Sequence, residues 1–210
     1  ALQEFTILNQ LTPFSSRQII GFPLKRKQTY LSFSQMTEQS GLLSLPHQEW
    51  TARKKRWRLT SFIHAGQSPL HISLYQAGFS TATVPCEIGL PVPYMHLYET
   101  PCMEWQACLY LCLFKDREEG DYILRQSIQA TVIRCIQENR IRLRFLPFQK
   151  TIDPLLPVKS YMSLLAGIGI VKACEGGDYR LVKTFRLHNP AAPETEEAFI
   201  RQACSVYNEL

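Results

Sequence analysis

Residues 121–139 read DYILRQSIQATVIRCIQEN, and their apolar side chains recur with the period of an α-helix. The residues of this series are Leu124, Ile128, Val132, Cys135 and Ile136. With about 3.6 residues per turn, side chains at these spacings fall on one stripe of the helix surface. The pattern therefore predicts an amphipathic helix over 121–139 whose stripe packs on a core.

The chain on both sides of this helix alternates between helix and strand signals. Thr100 followed by Pro101 is a typical helix start, and Gly176-Gly177 indicates a tight turn between two strands. The predicted elements are a helix over 102–115, for which a buried core strand stays open as the alternative, a strand over 140–145, a turn or short helix at 153–157, a helix over 158–167, strands over 170–173 and 179–185, and a last helix over 193–207.

The order of elements from Asp121 to Leu187 is similar to that of a winged helix-turn-helix. It comprises a long helix, a strand, a short helix, a second helix and a glycine-turned hairpin. The segment from Ser160 to Val171, SYMSLLAGIGIV, resembles the end of a recognition helix that runs into the wing. The resemblance covers about a third of the chain.

This resemblance implies nucleic-acid binding, with the second helix in the major groove and the wing on the backbone. The polar groups of that helix are Lys159, Ser160 and Ser163. Proteins that read DNA sequence usually carry Arg, Asn or Gln at such positions. Because many winged helices bind proteins, a protein partner stays open as the alternative.

The amino-terminal part is predicted to be rich in strands. Short segments with β-branched and aromatic residues favour this interpretation, and the proline-rich stretch 89–93 is typical of a connector between domains. The predicted strands are Phe5–Leu8, Thr29–Phe33, Trp57–His64, Leu70–Gln76 and Thr81–Ile88. We therefore expect an α+β protein with a β-rich part over 1–92 and, over 93–210, a helical, winged-helix-like unit with a β-hairpin and a carboxy-terminal helix. One compact unit formed by both parts is the alternative.

Two groups of cations are candidate binding residues. The first surrounds Trp57 and consists of Arg53, Lys54, Lys55, Arg56 and Arg58. Such a cluster is suited to phosphates, to an acidic protein or to anionic lipid headgroups, and it also fits a solvated loop. The second group, Arg140, Arg142 and Arg144, predicts either a basic stripe or the exposed face of an edge strand.

No local catalytic pattern is present in the sequence. The five histidines lack the spacings of metal-binding motifs, and phosphate-binding and nucleophile-elbow motifs are missing. No aspartate precedes Asp116, which excludes an Asp-based magnesium site from the first 115 residues. We expect no cofactor and no enzymatic activity, although residues that converge only in the fold leave an enzyme open.

The seven cysteines are odd in number and lie mostly within apolar segments. A buried free cysteine behaves as a small hydrophobic residue, and an odd count is typical of a reducing compartment. The pair Cys108 and Cys112 has no second pair or histidine nearby in sequence. We therefore expect reduced cysteines, no zinc, a cytoplasmic location and, since no apolar run is long enough, no membrane span.

Two functions follow as hypotheses. The first is a non-enzymatic nucleic-acid-binding protein of a regulatory or replication type, supported by the net charge of +5. The second is an adaptor or chaperone-like subunit that binds proteins through aromatic and apolar surface. The sequence leaves the oligomeric state undetermined.

Overall fold

The computed structural model describes residues 47–63, 69–144, 153–189 and 192–207. These residues belong to one compact unit. Within them lie six α-helices and three strands: α1 (His47–Ile63), α2 (Pro69–Gln76), α3 (Cys102–Leu113), β1 (Tyr122–Ile123), α4 (Arg125–Gln137), α5 (Leu156–Gly167), β2 (Val171–Ala173), β3 (Tyr179–Leu181) and α6 (Pro193–Tyr207). The predicted α+β class is confirmed.

The helix predicted over 121–139 forms as α4, from Arg125 to Gln137. Ile128, Val132 and Cys135 of the predicted stripe are buried, whereas Leu124 precedes the helix and is exposed. The stripe packs on α3, whose own side chains are buried on most sides, including Trp105 and Leu109. Burial of the stripe therefore stabilises the helix, as its period predicts.

The three strands form an antiparallel sheet in the order β1-β3-β2. Ala173 pairs with Tyr179 at the end of the hairpin, whose turn contains Gly176 and Gly177 with φ of 74° and 86°. L-residues rarely adopt such φ angles, so the two glycines fit this turn. The predicted hairpin and the carboxy-terminal helix over 193–207 are both confirmed.

The predicted strands at 57–64 and 70–76 are wrong where the structure describes them, because these residues lie in α1 and α2. In α1 the inward side chains are Trp50, Lys54 and Arg58, which are four residues apart. Two of these three residues are charged, so the spacing of hydrophobic residues does not reveal the inward side of the helix. The eight-residue α2 has about two turns, which are too few to distinguish the period of a helix from the period of a strand.

The segment from Val84 to Val92 is buried throughout, although it forms turns and irregular backbone instead of the strand predicted over 81–88. It includes most of the proline-rich stretch predicted as a connector. Buried peptide groups need hydrogen-bond partners, which a strand would obtain from its neighbours. Here side chains provide many of them.

Three long side chains donate hydrogen bonds to carbonyls of this segment. Lys54 of α1 donates to Cys86 at 2.6 Å, Tyr161 of α5 donates to Glu87 at 3.0 Å, and Trp50 of α1 donates to Gly89. The segment is thereby bonded to helices far from it in sequence.

Gln106 of α3 provides three more hydrogen bonds. Its Oε1 accepts from the amides of Gly89 and Leu90 at 2.7 and 2.9 Å, and its Nε2 donates to the Leu90 carbonyl at 2.8 Å. Gly89 has φ of 80°, and a Cβ there would lie 2.3 Å from the sulfur of Met103. Glycine suits this position because L side chains rarely adopt a φ of 80°.

Strands predicted at 5–8 and 29–33 lie outside the described residues, and the division of the chain at residue 92 stays a prediction. Among the described helices, none has the length and apolar character needed to cross a bilayer.

We predict that Gln106→Leu lowers the free energy of unfolding by about 3 kcal/mol or more. The substitution leaves two buried amides without an acceptor and one carbonyl without a donor, and each orphaned group costs about 1–3 kcal/mol. Urea unfolding measures the difference, with Gln137→Leu on the exposed side of α4 as the control. Equal effects of the two substitutions would contradict the role of Gln106.

Candidate nucleic-acid interface

The basic run around Trp57 lies on α1, where the helical period divides its cations between two sides. Lys54 is only 1% exposed, and its Nζ lies 2.7 Å from Oε1 of Glu196 on α6. Arg58, one turn later, donates to both oxygens of the same carboxylate. These two cations therefore face the core, and the expectation that they present charge to a partner is corrected.

The Glu196 carboxylate is the centre of this buried network. Nδ1 of His188 also lies 3.1 Å from its Oε2. Burial alone would raise the pKa of Glu196, but hydrogen bonds and charge from Arg58 and Lys54 lower it to about 2. Burial has the opposite effect on His188, because it lowers the pKa of the imidazole. The network holds α1 against α6 and neutralises two of the five cations of the basic run.

The remaining cations of the run lie nearer the surface. The guanidinium of Arg53 lies 5.8 Å from the ring centre of Trp50, within the range of a cation–π contact. Lys55 and Arg56 are exposed. A binding surface on α1 would therefore depend on Arg53, Lys55 and Arg56.

The predicted recognition-helix residues lie along one side of α5. Lys159 and Ser163 are exposed, and Ser160 is half-buried. Nζ of Lys159 lies 2.9 Å from Oδ2 of Asp153, an ion pair open to solvent that is easily exchanged for another anion. This side of α5 presents small polar groups and one cation.

A groove runs between α4, the start of α5 and the turn of the hairpin. Two adjoining cavities of about 300 and 520 Å³ share Arg125 and Gln129 in their linings. Lys159 lines one of them and Asp178 the other. Oδ1 of Asp178 accepts from the amide of Arg125 at 2.7 Å, which caps α4 and fixes the hairpin turn beside it. The groove therefore has a largely apolar floor, which includes Ile128, Val158 and Met162, with Arg125 and Lys159 beside it.

The solvent-facing side of the sheet carries a basic row. Arg180 of β3 pairs directly with Lys172 of β2 on one side and with Tyr122 of β1 on the other. All three residues are exposed. Directly paired residues have Cβ atoms about 5 Å apart on the same face of a sheet. The register thus places two cations and an aromatic ring side by side.

The stripe Arg140, Arg142 and Arg144 does not lie on a regular strand. Its only described strand-like pairing is a single bridge between Leu143 and Tyr98. Arg140 forms an ion pair with Glu138 at 2.9 Å, and Nε of Arg144 donates to the carbonyl of His96. Arg142 remains exposed. The strand prediction is wrong because this segment pairs with the irregular backbone at 97–99 instead of a sheet.

A family model described as competence protein CoiA, C-terminal domain, matches residues 45–193. The match spans more than two thirds of the 210 residues. The chain therefore belongs to this family. No curated protein and no solved structure matches it.

The CoiA C-terminal match includes α1 to α5, the sheet and His188, and it ends at the first residue of α6. Glu196 lies just beyond its end. Lys54 and Arg58 thus belong to the matched region, whereas the carboxylate that neutralises them is provided by the following helix.

Sequence reasoning missed several residues of this site. Part of the row of Lys172, Arg180 and Tyr122 could have been predicted from the sequence, because a hairpin turn over 174–178 already places Lys172 opposite Arg180. The sequence gives no sign that Glu196 contacts Arg58, because 138 positions separate the two residues.

We predict that Lys54→Met lowers the free energy of unfolding by about 2–3 kcal/mol at neutral pH. Glu196 keeps Arg58 but loses one buried partner, and the carbonyl of Cys86 loses its donor. The exposed neighbour provides the control, because Lys55→Met should change stability by less than about 0.5 kcal/mol. Equal stability of the two variants in urea unfolding would refute the inward position of Lys54.

Proposed function

We propose that this CoiA C-terminal domain binds DNA through a winged-helix surface formed by α5 and the β2–β3 hairpin. The support begins with topology, because the order α3-β1-α4-α5-β2-β3 with a β1-β3-β2 sheet is typical of winged helices. In this assignment α3 and α4 are the first two helices and α5 is the recognition helix. The sequence pattern predicts α4 as the first helix of the winged helix. In the present assignment α4 is the second helix and α3 is the first. The recognition helix and the wing are the same in both assignments.

The residues along α5 favour binding that depends little on base sequence. Lys159, Ser160 and Ser163 offer one cation and two hydroxyls, without the Arg, Asn or Gln side chains that distinguish bases. Contacts to phosphates position a protein on the duplex and carry most of its non-specific affinity. The expected partner is therefore duplex DNA bound mainly through its backbone.

The paired cations of the hairpin carry the proposal. Like charges directly opposite on neighbouring strands destabilise a sheet, yet Lys172 and Arg180 occupy such positions. A phosphate placed between them would remove the repulsion and add two charge-assisted hydrogen bonds. Tyr122 beside them adds a flat apolar surface and a hydroxyl donor.

The groove next to the hairpin extends the basic surface. Arg125 and Lys159 line it from two helices. Its only described acidic lining residue, Asp178, already accepts a hydrogen bond from the backbone of α4. Arg125 and Lys159 thus add two cations next to the paired cations of the hairpin.

The family name agrees with a DNA partner, since competence is the ability of cells to take up DNA. The domain acts in this proposal as a binding module without catalysis, and no cofactor is assigned to it. Its seven free cysteines support a location in a reducing compartment such as the cytoplasm.

We predict that Lys172→Ala with Arg180→Ala weakens binding to a labelled DNA duplex for every sequence tested. Each lost phosphate contact lowers the log–log salt slope by about 0.9, so the double variant should lose nearly two units of slope. Fluorescence anisotropy at several salt concentrations measures both quantities.

The control is Arg201→Ala, which removes an exposed cation of α6 that is paired with Glu197. This variant should bind DNA with nearly the wild-type slope. An unchanged slope in the double variant, or no DNA binding by the wild type at low salt, would refute the proposal.

The second candidate function is an adaptor, and one observation favours it. Large apolar side chains are exposed on α1 and α2, namely Leu59 at 65%, Ile72 at 49% and Tyr75 at 83%. Exposed apolar surface is typical of protein contact sites. Failure to bind DNA at low salt, together with a co-purified protein partner, would favour this function.

A further inference from the structure

Three cysteines converge where α3 packs against α4. Cys108 and Cys112 lie one turn apart on α3, and Cys135 lies on the facing side of α4. The sulfurs of Cys108 and Cys135 are 3.2 Å apart, and all three sulfurs lie within 4.8 Å of one another. The two helices thus bring together a triangle of sulfur atoms.

This spacing is close to that of sulfurs bound to one metal ion. Zinc–sulfur bonds are about 2.3 Å long, so tetrahedral geometry places two such sulfurs about 3.8 Å apart. Small side-chain rotations would bring the three sulfurs to one ion. Soft ions such as Zn²⁺ and Cd²⁺ prefer thiolate ligands.

Two cations beside the triangle would offset the charge of a bound site. Arg134 acts electrostatically on Cys112, and Arg140 acts electrostatically on Cys108 and Cys135. Three thiolates around a divalent ion carry one net negative charge, which nearby positive charge offsets.

The burial of the three cysteines determines how a metal ion would reach the site between them. Cys108 and Cys135 are buried, whereas Cys112 is half-buried. One corner of the triangle therefore faces solvent, which leaves a path for the ion and a position for a fourth ligand such as water.

A second group of potential ligands, Cys86, His188 and Glu196, also lies within bonding range. Its carboxylate is already paired with Lys54 and Arg58. These cations repel a metal ion and compete for the oxygens, so we assign no metal to this group.

We propose that Cys108, Cys112 and Cys135 form a three-thiolate site for a soft divalent metal ion, with the fourth position open to solvent. Binding forms three sulfur–metal bonds and releases the three thiol protons to solvent. The sequence alone predicts no zinc, because Cys108 and Cys112 lack a partner nearby in sequence, but the fold brings Cys135 to them. This site is independent of the proposed DNA-binding surface.

The test is a titration of the reduced, chelator-treated chain with Cd²⁺ alone, followed by the ultraviolet charge-transfer absorption of thiolate–cadmium bonds. We expect one equivalent to saturate the wild type. Cys112→Ser should weaken Cd²⁺ binding by more than about 100-fold, because loss of a hydrogen-bond partner behind a ligand alone costs about 10- to 100-fold.

Cys174→Ser provides the matched control, since Cys174 is a half-buried free cysteine on the hairpin, outside the triangle. It should bind one equivalent as the wild type does. Zn²⁺ should raise the Tm of the wild type and of Cys174→Ser but not that of Cys112→Ser, whose partly exposed position tolerates serine.

Two results would overturn the metal site. One is a cadmium titration without a saturable absorption band, or with a band that Cys112→Ser leaves unchanged. The other is a reduced chain that takes up no metal but forms a Cys108–Cys135 disulfide with hydrogen peroxide, which would make the triangle a redox pair.

Discussion

The burial of an irregular backbone segment, Val84 to Val92, constrains the whole described fold. Such a segment cannot satisfy its peptide groups by itself, and each group left unpaired in the core is costly. Side chains from three helices therefore have to reach it. Gln106 bonds it to α3, Tyr161 bonds it to α5, and Lys54 with Trp50 bonds it to α1.

This constraint connects the core to the proposed binding surface. Because Lys54 must reach the Cys86 carbonyl, a cation enters the core, and Glu196 of α6 neutralises it together with Arg58. Two of the five cations of the basic run on α1 are thereby structural. The hairpin and the groove beside it offer further exposed positive charge to a polyanion, and Asp178 fixes the turn there against α4.

Sequence reasoning predicted those elements whose stability comes from a local apolar period. The helix α4 and the hairpin were predicted because the apolar stripe of α4 and the two glycines of the turn are visible in the sequence. Helix α1 was missed because its inward stripe contains Lys54 and Arg58, whose burial depends on Glu196 far along the chain. The prolines at 91 and 93 indicate an irregular backbone, but not whether it is an exposed linker or a buried segment. The sulfur triangle was missed for the same reason, since Cys135 lies 27 positions from Cys108.

The central claim is that the segment from Val84 to Val92 is held in the core by side-chain hydrogen bonds. Amide hydrogen exchange tests it most directly at Gly89 and Leu90, whose N–H groups both bond to Gln106. We expect these two amides to exchange only through global unfolding, as slowly as the amides at the centre of α3. Exchange at the rate of an exposed loop would show that the segment opens independently, which would contradict the account.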